Sequence, residues 1–135
     1  MGPPALSRHA SFRTPMLTVE VIEDDLPMRA LLAEWLAGEG YRVRACAGIG
    51  GRVRTDVDAV VVDLTDLPAR GAETIRHVKS LYAGAALIGI STQWCDAAGS
   101  DSRQARDLGV HRLVSKPCSR RELTSAVAGA LGAVD

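Results

Sequence analysis

Strand-like apolar runs alternate with helix-like stripes along most of the chain, and this alternation limits the fold more than any other feature of the sequence. Leu17–Ile22, Tyr41–Ala47, Ala59–Val62, Ala86–Ile90 and Val110–Ser115 are short and mostly rich in Val, Ile, Leu and Ala, which predicts five strands. Runs without polar alternation, such as Ala59–Val62, fit strands covered on both faces. Strands alternating with helices build a parallel sheet of that kind.

The intervals read as helices with identifiable signals. Asp25 is placed to cap a first helix, and Pro27 falls in its first turn, where a missing N–H costs little. Met28, Leu31, Leu32, Trp35 and Leu36 follow at helical spacing as an apolar stripe, with Trp35 read as core, and Gly38 and Gly40 end it. A helix is predicted from about residue 72 to 82, burying Ile75 and Val78, and another from about 101 to 108, with Asp101 and Gln104 spaced as a capping box. Ser119 and Glu122 form a second capping box ahead of a stripe of Leu123, Ala126, Val127, Ala130 and Leu131. Between the second and third strands, GIGGRVRT is short and glycine-rich, which allows at most a shortened second helix.

Residues 1–15 are rich in proline and polar residues, with no periodicity. They read as a disordered leader or expression remnant, leaving one domain over residues 16–135. Sixteen basic and sixteen acidic residues balance, so no global field favours nucleic acid or anionic membrane. Arg42, Arg44, Arg52 and Arg54 form the one basic cluster, read as a solvated strand edge rather than a partner-binding patch. Cys46, Cys95 and Cys118 fit no disulfide framework or metal motif, and His9, His77 and His111 have no ligand spacing. No run is long enough to span a membrane. A cytoplasmic protein with reduced thiols is expected.

The chemistry-bearing residues cluster at the ends of the predicted strands. Glu23 and Asp24 follow strand one, Asp63 strand three, Ser91 strand four and Lys116 strand five. A parallel sheet puts all these positions at its carboxyl edge, where open α/β folds bind their ligands. Three carboxylates in one crevice repel: two unit charges about 4 Å apart cost on the order of 4 kcal/mol at an effective dielectric near 20. A cation relieves that strain, and an all-oxygen donor set suits Mg²⁺ better than zinc. In such a crevice Asp63 has the chemistry of a nucleophile toward phosphorus, Lys116 that of a phosphate partner, and Ser91 that of a hydrogen-bond donor to a phosphoryl oxygen.

The segments VEVIEDDLPMRALL, DAVVVDLTDLPARGAE, LIGIST and LVSKP resemble the four motif regions of the response-regulator receiver domains of two-component systems, over roughly residues 17–132. Each motif alone is weak; four in order, each at a strand end, are strong. The resemblance implies a flavodoxin-like α/β fold with strand order 2-1-3-4-5. It assigns Glu23, Asp24 and the Thr65 backbone carbonyl to Mg²⁺, Asp63 to metal ligation and phosphoryl acceptance, Ser91 to a switch hydroxyl and Lys116 to the phosphate. It implies a cis Lys116–Pro117 bond. The expected partner is a histidine kinase or histidine phosphotransfer protein, with a downstream effector the sequence does not name and no direct binding of nucleic acid or membrane. Such a domain is a signalling phosphoacceptor that catalyses only its own phosphorylation and dephosphorylation.

The sequence departs from the family pattern in places. Pro68 stands one residue later than usual, the loop after Ser91 is longer and carries Trp94 and Cys95, and Thr92 replaces a small residue. Leu113 stands where an aromatic switch residue is common, and Cys118 where phenylalanine is common. The alternative reading is therefore a receiver-like interaction domain that works without phosphorylation. A haloacid-dehalogenase-type phosphatase fits poorly, since its DxD motif follows the first strand and the nearest match here is Asp63-x-x-Asp66 after the third.

Overall fold

The computed structural model describes residues 16–65, 70–92 and 100–133. The leader, Pro68, Trp94 and Cys95 lie outside the described residues, as does the side chain of Asp101. The elements run β1 (Thr18–Ile22), α1 (Leu26–Gly38), β2 (Arg42–Cys46), β3 (Ala59–Asp63), α2 (Gly71–Leu81), β4 (Ala86–Ser91), α3 (Ser100–Leu108), β5 (Arg112–Ser115) and α4 (Arg120–Ala133). The five strands form one parallel sheet in the order β2-β1-β3-β4-β5, the expected flavodoxin-like arrangement.

Side-chain alternation along the strands divides the core. Val19, Val21, Ala59, Val61, Ile88 and Ile90 face one way, against Leu32 and Leu36 of α1 and Leu123, Val127 and Ala130 of α4. Val60, Val62, Leu87 and Leu113 face the other way, against Ile75, Val78 and Leu81 of α2 and Ala105 of α3. β3 and β4 are therefore apolar on both faces, as a doubly covered sheet requires.

Local signals set the helix ends. The Met28 N–H donates to Asp25 Oδ2 at 2.9 Å, with proline in the first turn. Gly40 takes φ +98° just past α1, the left-handed conformation that glycine adopts without penalty. At α4, Ser119 and Glu122 bond reciprocally: Glu122 N–H to Ser119 Oγ at 3.0 Å and Ser119 N–H to Glu122 Oε1 at 2.8 Å. The α1 stripe is narrower than its spacing suggests. Leu32 and Leu36 are buried and Trp35 is partly buried against the core, whereas Leu31 faces solvent.

The expected short second helix is absent. Residues 47–58 pass from β2 to β3 as an irregular segment, because Gly48, Gly50 and Gly51 make helix costly over so short a span. Its place over β1 and β2 is taken by polar side chains. Glu20, buried in β1, pairs with Arg44 at 3.6 Å and accepts from the Cys46 thiol at 3.4 Å. Asp56 pairs with Arg44 at 3.3 Å and Arg54 at 3.5 Å. Two of the four clustered arginines are thus engaged in ion pairs with carboxylates of β1 and this segment, rather than forming an open basic edge. The Arg54 N–H also donates to the Leu81 carbonyl, and Val57 inserts into the core.

His111 makes a pH-sensitive contact between β4 and β5. Its Nδ1 accepts the Leu87 N–H at 3.0 Å, so the ring must be neutral there. Burial, then Lys79 and Arg112, hold its pKa below 6.5. A depressed folded pKa means that the unfolded chain binds the proton more tightly. The contribution is therefore complete above pH 6.5 and is lost as pH falls through the folded value. Urea midpoints should drop between pH 7 and pH 5 in the wild type and drop less in His111→Asn, whose amide oxygen can still accept. Equal slopes in the two proteins would show that this contact does not titrate.

Candidate phosphoacceptor site

Backbone hydrogen bonds at the carboxyl edge of the sheet place the site. The Glu23 N–H donates to Cys46 O at 3.0 Å, Leu64 N–H to Ile90 O at 2.7 Å, and Lys116 N–H to Ser91 O at 2.9 Å. These bonds carry the parallel ladder one residue beyond the strands. They fix the exits of β1, β3 and β5, and so bring Glu23, Asp63 and Lys116 together.

Lys116 is the hub. Its Nζ lies 3.0 Å from Glu23 Oε1 and 3.4 Å from Asp63 Oδ1. Glu23 is almost fully buried, with 1% exposure, whereas Asp63 is partly exposed. Oxygens of Glu23, Asp24 and Asp63 lie within 4.8 Å of one another. Glu23 Oε2 also accepts the Asp25 N–H at 3.2 Å, and the Glu23 carbonyl accepts from Arg29 at 2.9 Å. Burial raises the Glu23 pKa, opposed by the Lys116 hydrogen bond and reinforced by the charge of Asp63. Burial alone would depress Lys116, but its hydrogen bond to Glu23 and the charge of Asp63 raise it. The Thr65 hydroxyl donates to Asp63 Oδ1, orienting that carboxylate.

Among the described residues, a cavity of about 550 Å³ holds Glu23, Asp24, Asp63, Thr65, Thr92 and Lys116 on its walls. Ser91 is fully buried at the end of β4 beside Ser115 and does not line this cavity; the neighbouring hydroxyl, Thr92, does. Lys116–Pro117 is cis, as the sequence resemblance implied. Cys118 is partly buried, and burial pushes its thiol pKa up, consistent with an inert side chain. Sequence reasoning did not anticipate Arg29, whose reach back to the Glu23 carbonyl needs the first turn of α1 folded against the β1 exit. Leu64, Arg70 and Thr74 were also missed; they line the cavity through packing that no motif marks.

Gly89 of β4 lies behind the acceptor. A β-carbon there would sit 2.6 Å from Leu64 Cδ1 and 3.2 Å from Leu113 Cδ2. Gly89→Ala should therefore lower stability by about 1–2 kcal/mol and push on Leu64, next to Asp63. An unchanged urea midpoint would mean that Leu64 swings aside freely.

The donor set fits Mg²⁺: three carboxylates, no thiol or imidazole, and a partly open cavity with space for water. The strand order and helix placement match the fold that the resemblance to response-regulator receiver domains implies. Regulatory protein VirG of Rhizobium radiobacter is 30% identical over 134 residues, 94% of this chain and 49% of that protein. VirG of Agrobacterium fabrum is 32% identical over 87% of this chain. The chain spans about half the length of the curated relatives it matches. No protein-family model matches. Among solved structures, a CheY-like receiver domain protein of Methanospirillum hungatei superposes with TM-score 0.64 at 18% identity, covering 88% of this chain and 96% of that one. A response regulator receiver protein of Sinorhizobium medicae gives 0.61 at 19%, covering 90% and 98%. The chain has the fold of response-regulator receiver domains and is similar in sequence to the VirG regulatory proteins over about half of their length.

Proposed function

We propose that this receiver accepts a phosphoryl group on Asp63 from the phosphohistidine of a histidine kinase or histidine phosphotransfer protein in the cytoplasm. The observation that carries this reading is the Lys116 ammonium within ion-pair distance of both Glu23 and Asp63, which places a fixed cation beside a partly exposed carboxylate. An Asp63 oxygen forms the new bond to phosphorus while the donor's P–N bond breaks. Lys116 then pairs with a phosphoryl oxygen, and Ser91, buried behind the cavity wall at rest, reaches another only once its hydroxyl turns toward the cavity. Glu23, Asp24, Asp63 and the Thr65 carbonyl would hold Mg²⁺, which when bound neutralises phosphoryl charge. Thr65 turns the acceptor carboxylate and leaves its other oxygen for attack. Later attack by water on phosphorus returns the domain to its resting state, so catalysis is confined to the domain's own modification.

Intact mass after incubation with acetyl phosphate and Mg²⁺ tests the proposal. A gain of one phosphoryl group that is lost on hydroxylamine treatment is expected, and no gain would overturn it. Asp24→Asn should weaken Mg²⁺ binding by about tenfold, since one hard anionic contact worth roughly 1.4 kcal/mol is lost. An unchanged calorimetric titration would reduce Asp24 to a helix-start residue. The absence of a helix between β2 and β3 favours a second reading, an interaction domain that works without phosphorylation. Partner binding that is identical for wild type and Asp63→Asn would support it.

A further inference from the structure

Arg29 occupies a position that electrostatics disfavours twice. It lies at the end of the first turn of α1, where a positive charge opposes the helix dipole. It also stands beside a carboxylate cluster suited to a divalent cation, which a neighbouring positive charge repels. Neither helix stability nor attraction of a metal accounts for a cation there. The side chain is partly buried, lies outside the cavity wall and makes no ion pair among the described residues. It reaches back six residues and donates from Nη1 to the Glu23 carbonyl at 2.9 Å.

That bond falls on the peptide link just before Asp24. The residues on either side of Asp24 are tied to the strand and the helix. Glu23 N–H donates to Cys46 O at 3.0 Å, Glu23 Oε2 accepts the Asp25 N–H at 3.2 Å, and the Asp25 carbonyl accepts the Arg29 N–H at 2.8 Å. Asp24 itself is exposed and has no hydrogen bond or ion pair among the described residues. Its carboxylate nevertheless lies within 4.8 Å of those of Glu23 and Asp63. The backbone aims it, and Arg29 grips that backbone at the Glu23 carbonyl.

We propose that Arg29 is a positioning residue for the metal site. By holding the Glu23 carbonyl, it keeps the Glu23–Asp24 peptide in the orientation that brings the Asp24 carboxylate to Glu23 and Asp63. The inference rests on the Mg²⁺ reading of this acidic cluster given above. The charge of Arg29 works against the ion and its hydrogen bond works for it, so the two contributions have opposite signs.

Calorimetric titration of the metal-free protein with Mg²⁺ tests the assignment. Arg29→Met keeps an unbranched side chain of good helix propensity but removes donor and charge together. Loss of an outer-shell partner typically weakens metal binding by roughly 10–100-fold; relief of the repulsion offsets part of this, so Kd should rise by about fivefold. Arg29→Lys retains a donor and the charge and should recover most of the affinity. In an Asp24→Asn background Arg29→Met should cause no further loss, because the ligand it positions is already gone. Without metal, the Asp24 amide resonance should shift in Arg29→Met while those of Leu32 and Leu36 stay in place, which separates positioning of the turn from damage to α1. Unchanged or tighter Mg²⁺ binding by Arg29→Met, or an equal loss in the Asp24→Asn background, would overturn the positioning role and leave the metal site standing. Failure of the wild type to bind Mg²⁺ would overturn both.

Discussion

Asp63→Asn should abolish phosphoryl uptake completely while keeping the fold. The substitution is nearly isosteric, and the amide oxygen can still accept from Thr65. It removes the charged nucleophile, which the amide does not replace. Its effect on stability should be neutral or favourable. Asp63 raises the pKa of buried Glu23 by repulsion, and neutralising Asp63 removes that repulsion. In the presence of acetyl phosphate and Mg²⁺, the variant should show no mass gain, and it should melt at or above the wild-type temperature. An acyl phosphate on the variant would place the acceptor elsewhere. A large fall in melting temperature would show that the carboxylate is needed structurally rather than chemically.

Lys116→Met should be the most damaging single change for the resting domain. It strands a carboxylate that is almost fully buried, beside a second one, with no other cation at ion-pair distance among the described residues. Removing one member of a fully buried pair costs about 3–5 kcal/mol; partial exposure of Lys116 lowers the expected loss to about 2 kcal/mol at pH 7 without metal. The pH dependence has a defined sign. Glu23 has a folded pKa above its ordinary 4.5, chiefly from burial, so the folded state binds that proton more tightly and loses stability as pH rises through the folded value. Loss of Lys116 enlarges this effect, so the variant should lie closer to wild type at pH 5 than at pH 7. Mg²⁺ should restore part of the difference at pH 7. Urea unfolding at both pH values, with and without Mg²⁺, measures each term. A loss that is independent of pH would mean that Lys116 acts by packing its stem rather than by charge.

Phosphoryl uptake in Lys116→Met should also fall, but this must be read against the stability loss. The comparison is clean only under conditions where the variant is fully folded, which the same unfolding curves define.

The sequence by itself determined the alternation of strands and helices, the parallel sheet and the carboxyl-edge position of Glu23, Asp24, Asp63 and Lys116. These features follow from short-range rules. Apolar periodicity chooses the element, Asp25 and Ser119 mark helix starts, and a parallel sheet sends every strand end to the same edge. Tertiary structure alone decided what happens where local signals are weak. Between β2 and β3 a short, glycine-rich stretch lacks the propensity to hold a helix, and the buried Glu20 with Arg44, Arg54 and Asp56 fills the space instead. Leu31 sits on the predicted stripe, yet the helix turns it outward, because the face that α1 buries is fixed by the sheet and α4 rather than by spacing. The exposure of Thr92 and the burial of Ser91 likewise depend on how the end of β4 pairs with β5. The cavity beside Asp63 is lined by Ala47, Gly48 and Ile49 as well as Arg70, Gly71 and Thr74, which lie far apart in sequence and share one cavity only when the sheet is assembled.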